Sequence, residues 1–317
     1  MRAVLYATLA KAELSKKLSA VLGNDLKVVD TPDQLAAEIP EADALFMGDM
    51  LYAGKTREAI MTTAKKLKWI QILTAGYDNA KQFGVPPGVQ VTNVGDALAP
   101  AVGLHAVSLL LTMQRQVPFF LKNQEKHGWD RSAAAKAVIP LGQTCAVLGF
   151  GHIGREIARL MRALGSHVVG VSRTGAPDSG ADEMQPIAKL DDVLKRSDSI
   201  MISLPLDNAT HHLINARTLA LCKKNAIIVN IARGGLIDQI ALTEALKSGT
   251  IAGAGLDVTD PEPLPPEHPL WDAPNLYISP HFAGGAGAIT TDRISGAAAD
   301  NLVRFQRGEA LKNVVKV

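Results

Sequence analysis

The chain has 317 residues, more than one hydrophobic core usually organises, so two domains are expected. With 47% hydrophobic residues, 20% charged residues and a net charge of +2, it lacks the basic surplus that nucleic acid or an anionic membrane would call for. No run reaches the roughly 20 apolar residues of a membrane span, and Cys145 and Cys222 form no metal or redox spacing.

The N-terminal apolar stretch is too short for a secretory core and runs into charge, so a cytoplasmic protein with buried free thiols and no metal is expected. Residues 2–7, 26–29, 44–47 and 69–73 are apolar runs that predict buried strands. Helical periodicity over 11–21, 32–38 and 56–66 separates them, and a further strand is predicted near 89–93. Such alternation predicts a parallel sheet covered on both faces. From 96 to about 116 the pattern becomes one long apolar helix. A second alternation follows, with strands predicted at 144–149, 167–171, 199–204, 226–230, 251–257 and 276–279. An Ala-rich helical pattern over 289–305 comes after that module is complete, and an economical topology returns it to the first. The predicted class is therefore α/β, two doubly wound parallel-sheet domains comprising residues 1–98 with 289–317, and 99–288.

The strongest local signal is a strand that runs straight into Gly149-x-Gly151-x-x-Gly154, followed by an amphipathic helix. Gly149 suits the tight turn, Gly151 lets main chain approach a pyrophosphate, and Gly154 lets helix and strand pack closely. The helix N-terminus, at His152 and Ile153, then favours the negative charge of a dinucleotide. About 20 residues on, an NAD-selective site carries a carboxylate for the ribose 2′-OH. Here the strand ends in Ser172-Arg173-Thr174, which removes the repulsion of a 2′-phosphate and offers it an arginine. NADP(H) is the favoured cofactor on this reading, with NAD(H) left open should Arg173 be an ordinary surface side chain.

Three motifs follow in order, each just after a predicted strand: Asn230-Ile231-Ala232-Arg233-Gly234-Gly235, then Gly255-Leu256-Asp257 with Pro261-Glu262-Pro263, then Ser279-Pro280-His281-Phe282-Ala283-Gly284. With the glycine fingerprint, with Ser203-Leu204-Pro205 leading to Thr210 and His212, and with Thr74-Ala75-Gly76-Tyr77-Asp78, the chain resembles the D-isomer-specific 2-hydroxyacid dehydrogenase family over nearly its whole length. The resemblance implies a Rossmann cofactor domain beside a flavodoxin-like substrate domain. It implies hydride transfer between the cofactor and a small 2-keto or D-2-hydroxy acid. Arg233 would hold the substrate carboxylate with its planar fork, and His281 would exchange the proton. Glu262 would fix the imidazole, and Asp257 would hold the nicotinamide carboxamide. Leu204, Pro205, Thr210, Ile231 and Gly284 would border the cofactor, while Leu51, Tyr52, Ala75, Gly76 and Tyr77 would meet the substrate. A homodimer is also implied, with Leu109, Leu110, Phe119, Phe120 and Trp129 supplying apolar area.

Many family members carry a Glu-His pair in the long helix, whereas this chain reads Leu104-His105, which argues against a polar network there. A competing reading makes the chain a dinucleotide-sensing interaction protein, akin to corepressors on the same fold. Binding without turnover would separate it from an enzyme.

Overall fold

The apolar runs of the first module fold as β1 (Ala3–Tyr6), β2 (Leu26–Val29), β3 (Ala44–Met47), β4 (Trp69–Ile72) and β5 (Gln90–Thr92) in the computed structural model, which describes every residue except Ala286. Between them lie α1 (Lys11–Leu22), α2 (Pro32–Glu38), α3 (Gly54–Thr63) and α4 (Asp78–Phe83). β1, β3 and β4 are buried at every position, as strands covered on both faces must be. The α1 helix buries Leu14, Leu18 and Leu22, one residue per turn on a single stripe.

Next come α5 (Ala99–Gln114), α6 (Val117–Glu125), β6 (Thr144–Leu148), α7 (His152–Ala163), β7 (His167–Ser172), β8 (Glu183–Pro186) and α8 (Leu190–Arg196). The series continues with β9 (Ser199–Ile202), α9 (Ala216–Leu219), β10 (Ile227–Asn230), α10 (Gln239–Lys247), β11 (Gly253–Leu256) and β12 (Leu276–Ile278). The long helix expected over 96–116 instead ends at Gln114, because Gln116 takes a left-handed φ of 56° and Pro118 opens α6. β8 has no counterpart in the sequence reading: its four residues, Glu183-Met184-Gln185-Pro186, form no apolar run and are half-buried, as an edge strand tolerates.

The chain closes with α11 (Ala288–Gln306) and β13 (Val314–Val315). It divides into two units, Met1–Leu98 with Gly285–Val317, and Ala99–Gly284. In the first, α11 packs on α1, and the buried Asn301 amide donates to Gln71 Oε1 at 3.0 Å. Its sheet has the order β13-β5-β4-β3-β1-β2, parallel except for β13. The second unit carries an all-parallel sheet in the order β12-β11-β10-β9-β6-β7-β8. The strand order reverses between β6 and β9, so their carboxyl ends open a crevice of the kind that holds ligands in such sheets. Among the described residues no helix is long and apolar enough to cross a membrane.

Candidate active site

The β10 strand ends on Asn230, which is fully buried. Its Nδ2 donates to the Arg233 carbonyl at 2.8 Å, and its Oδ1 accepts from the Ala232 N–H at 3.1 Å. This clamp shapes the turn that carries Arg233 off the sheet edge. A side chain on Gly234 would put its Cβ 2.1 Å from the Thr259 carbonyl carbon, so only glycine lets the turn lie against the loop after β11. Arg233 is half-buried and donates from Nη1 to the Ala232 carbonyl at 2.6 Å.

That second loop supplies Glu262. Its Oε1 accepts the Thr259 N–H at 3.0 Å, and its Oε2 lies 2.8 Å from Nδ1 of His281. Burial alone pushes the Glu262 carboxyl up. The His281 hydrogen bond, the Thr259 N–H and the charges of His281 and Arg233 outweigh that and hold it below the usual carboxylate range. The hydrogen bond to Glu262 in turn holds His281 above the ordinary imidazole range, against burial and the Arg233 charge. With Nδ1–H committed to the carboxylate, Nε2 is the nitrogen left to exchange a proton.

His281 itself sits at φ 51°, a left-handed conformation that costs a residue with a Cβ about 1–2 kcal/mol. The fold holds it there. Its N–H donates to the Asp257 carbonyl at 2.8 Å, and the next two N–H groups, of Phe282 and Ala283, donate to the Asp257 carboxylate at 2.8 and 2.9 Å. Asp257 is only 1% exposed, and Ser279 Oγ adds a third donor at 2.5 Å. Ser279 escaped the sequence reading, although it stands two residues before His281 in the same motif.

The glycine loop closes the other side of the sheet's switch point. Gly149 has φ 94°, and a Cβ there would meet the Ser203 carbonyl carbon at 2.7 Å, so the loops after β6 and β9 touch. A Cβ on Gly154 would lie 2.0 Å from the Gly149 carbonyl oxygen, whereas one on Gly151 would meet nothing within 4 Å. Gly149 and Gly154 are needed for packing, and Gly151 leaves open space in front of α7, whose N-terminus has no side-chain cap among the described residues. His152 is exposed and Ile153 half-buried beside it. This cradle fits a pyrophosphate.

Comparison with known proteins bears directly on this arrangement. The sequence model for "D-isomer specific 2-hydroxyacid dehydrogenase, NAD binding domain" matches residues 107–283, more than half of the chain. A glyoxylate reductase from Thermococcus litoralis is 33% identical over 291 residues, covering 89% of this chain and 86% of that protein. The chain belongs to the D-isomer-specific 2-hydroxyacid dehydrogenase family. Similar, too, is D-3-phosphoglycerate dehydrogenase of Mycobacterium leprae, 34% identical over 99% of this chain, although the chain spans only 59% of that relative's length. Among solved structures, an NADPH-dependent glyoxylate/hydroxypyruvate reductase from Sinorhizobium meliloti, in complex with NADP and sulfate, superposes with a TM-score of 0.84 at 26% identity. That match covers 100% of this chain and 98% of the other.

Within this dehydrogenase fold, the loop after β7 is built by Ser172, whose Oγ accepts the Gly175 N–H at 3.0 Å. Arg173 and Thr174 are exposed. Arg155, nearby on α7, is already paired with Asp178 at 2.8 Å, while Arg173 forms no ion pair among the described residues. Leu204 is half-buried against the core and Pro205 exposed. The Thr210 hydroxyl is spent on its own loop, donating to the Pro205 carbonyl at 2.8 Å. Ile231 is buried just after β10, and Gly284 is half-buried just past the turn that carries His281.

In the first unit, Ala75, Gly76 and Tyr77 form a half-buried loop tied at both ends. Thr74 Oγ1 donates to the Gly76 carbonyl at 2.8 Å, and Asn93 Nδ2 donates to the Ala75 carbonyl at 2.8 Å. Leu51 is half-buried. Tyr52 corrects the sequence reading: its side chain is fully buried in the core of its unit, and its hydroxyl donates to the Gly84 carbonyl at 2.7 Å. Burial pushes that hydroxyl up to about 12, so it remains a donor. A side chain so enclosed forms no wall for a substrate. Leu110 also departs from expectation, since it is fully buried within its own unit and offers no area to a partner. Burial pushes the Cys145 and Cys222 thiols up to about 12 and about 11, which leaves neither a thiolate nucleophile at neutral pH.

Proposed function

We propose that the chain is an NADP(H)-dependent reductase that interconverts a small 2-keto acid and its D-2-hydroxy acid. One observation carries this reading: the Glu262–His281 pair, 2.8 Å apart and under the influence of the Arg233 charge, stands at the same sheet edge as the glycine cradle. A bound reduced nicotinamide supplies the hydride that C2 of the keto acid receives. Arg233 holds the substrate carboxylate and, by its charge, the developing alkoxide. His281 gives its Nε2 proton to the carbonyl oxygen, and Glu262 stabilises the imidazolium until that moment. In the reverse direction His281 takes the hydroxyl proton as base. The main-chain N–H groups of Ala75 and Gly76 are further proposed donors to the carboxylate, and Leu51 and Tyr77 proposed contacts of the remainder of the acid.

The cofactor preference rests on Ser172 and on the charge of Arg173, which forms no ion pair among the described residues, and the NADP in the Sinorhizobium reductase supports it. The exposed Phe120, Leu121, Trp129 and Leu141 form apolar surface that we assign to a second copy of the chain. The test is oxidation of NADPH and of NADH with a panel of 2-keto acids, including glyoxylate and hydroxypyruvate, on the wild type and Ser172→Asp. Turnover with NADPH, and a preference that collapses in the variant, is the expected result. Dinucleotide binding without turnover of any acid would refute the enzyme, and an unchanged cofactor ratio in Ser172→Asp would refute the preference.

A further inference from the structure

Helix α5 carries a histidine that takes no part in the proposed hydride and proton transfer. His105 is half-buried, and its Nε2 lies 2.9 Å from Ser279 Oγ and 3.3 Å from Asp257 Oδ1. Its ring also stands edge-on to Phe282, the residue after His281, with centroids 6.0 Å apart. The donors in this chain can be assigned from chemistry. Both Asp257 oxygens accept main-chain N–H groups, so in the 2.5 Å contact Ser279 gives its single hydroxyl proton to Oδ1. Ser279 Oγ must then accept from His105, which fixes the proton of that ring on Nε2. The result is a directed series: His105 Nε2–H to Ser279 Oγ–H to Asp257 Oδ1.

Its far end has two outlets. Oδ1 also takes the Phe282 N–H and Oδ2 the Ala283 N–H, which hold the strained turn at His281. Among the described residues Oδ2 has that one donor alone, leaving a lone pair for an amide of the cofactor. An aspartate 1% exposed would otherwise rotate to whichever donors it could find, because burying a carboxylate with too few partners is costly.

The geometry points to His105 as a positioning residue that, through Ser279, sets the rotamer of Asp257 and so aims Oδ2 at the nicotinamide carboxamide. The neighbouring Leu104 is 58% exposed, so the polar network stands without an acid at that position, contrary to the sequence expectation. This inference rests on the proposed cofactor reading.

The test separates the nicotinamide end of the ligand from the rest. Binding of NADPH and of 2′-phospho-ADP-ribose, which lacks nicotinamide, is measured by titration calorimetry on the wild type, His105→Phe, His105→Gln and Ser279→Ala. His105→Phe keeps a ring without a donor, and His105→Gln keeps a donor without the ring. Losing one aimed hydrogen bond should weaken NADPH about tenfold in His105→Phe. The same change should leave 2′-phospho-ADP-ribose unaltered, and His105→Gln should recover most of the loss. Ser279→Ala, which breaks the series one link later, should reproduce the pattern even if His105→Phe folds poorly. Unchanged NADPH binding in both His105→Phe and Ser279→Ala, or equal loss of both ligands, would overturn the inference alone. A wild type that binds neither ligand would overturn the cofactor reading and this inference with it.

Discussion

Replacing Glu262 by glutamine probes the proton donor without removing it. Glutamine preserves shape and can still accept from Nδ1, but it carries no charge. In the wild type the Glu262 hydrogen bond raises His281, while burial and Arg233 pull it down. Without the carboxylate only the lowering influences of burial and Arg233 remain beside the Asp257 charge, so His281 loses its proton at lower pH. Reduction requires the protonated ring, so kcat/KM for keto acid should fall as pH rises through the His281 pKa. In Glu262→Gln that fall should begin at more acidic pH. A charge-assisted hydrogen bond exceeds a neutral one by about 1–1.5 kcal/mol, with solvent screening favouring the lower figure for a half-exposed pair. That difference corresponds to roughly a five- to tenfold loss of reductase activity above neutral pH, shrinking toward acid pH where both proteins are protonated. Steady-state kcat/KM from pH 5 to 9, with cofactor saturating, measures it. A Glu262→Gln profile that is uniformly lower but not displaced would refute the electrostatic role and leave a purely steric one.

Two further outcomes follow from packing. Gly154→Ala places a Cβ 2.0 Å from the Gly149 carbonyl oxygen, so overpacking should cost about 1–3 kcal/mol. Dinucleotide affinity should drop in the same variant, and urea unfolding with ligand titration would show both; wild-type values for either would contradict the fit assigned to the loop. Tyr52→Phe removes the hydroxyl that donates to Gly84 and should lower stability by about 1 kcal/mol with KM for the keto acid unchanged. A marked rise in KM would restore Tyr52 to the substrate.

Much of the fold was legible because its cause is local. Strands buried on both faces call for largely apolar runs; β1 and β3 show them throughout, β10 up to Asn230, and β4 around the buried, hydrogen-bonded Gln71. The edge strand β8 gave no such signal, since half-buried Glu183, Met184 and Gln185 need no apolar run. The break after α5 was hidden for a different reason: Gln116 at φ 56° belongs to no residue class that advertises a left-handed turn.

At the site the same division holds. Sequence alone determined which chemistry was on offer, because glycines, a fixed guanidinium, an acid and an imidazole each have few substitutes at their spacing. It also determined the family, through the order of those motifs. Tertiary structure alone decided which groups meet. Glu262 and His281 are 19 residues apart and His105 and Ser279 are 174 apart, and neither distance carries any local periodicity. It also decided the direction of Tyr52 and Leu110, whose composition suits surface loop or core equally well. Hydrogen-bond partners and burial depend on what the rest of the chain places nearby, and a linear pattern does not contain that information.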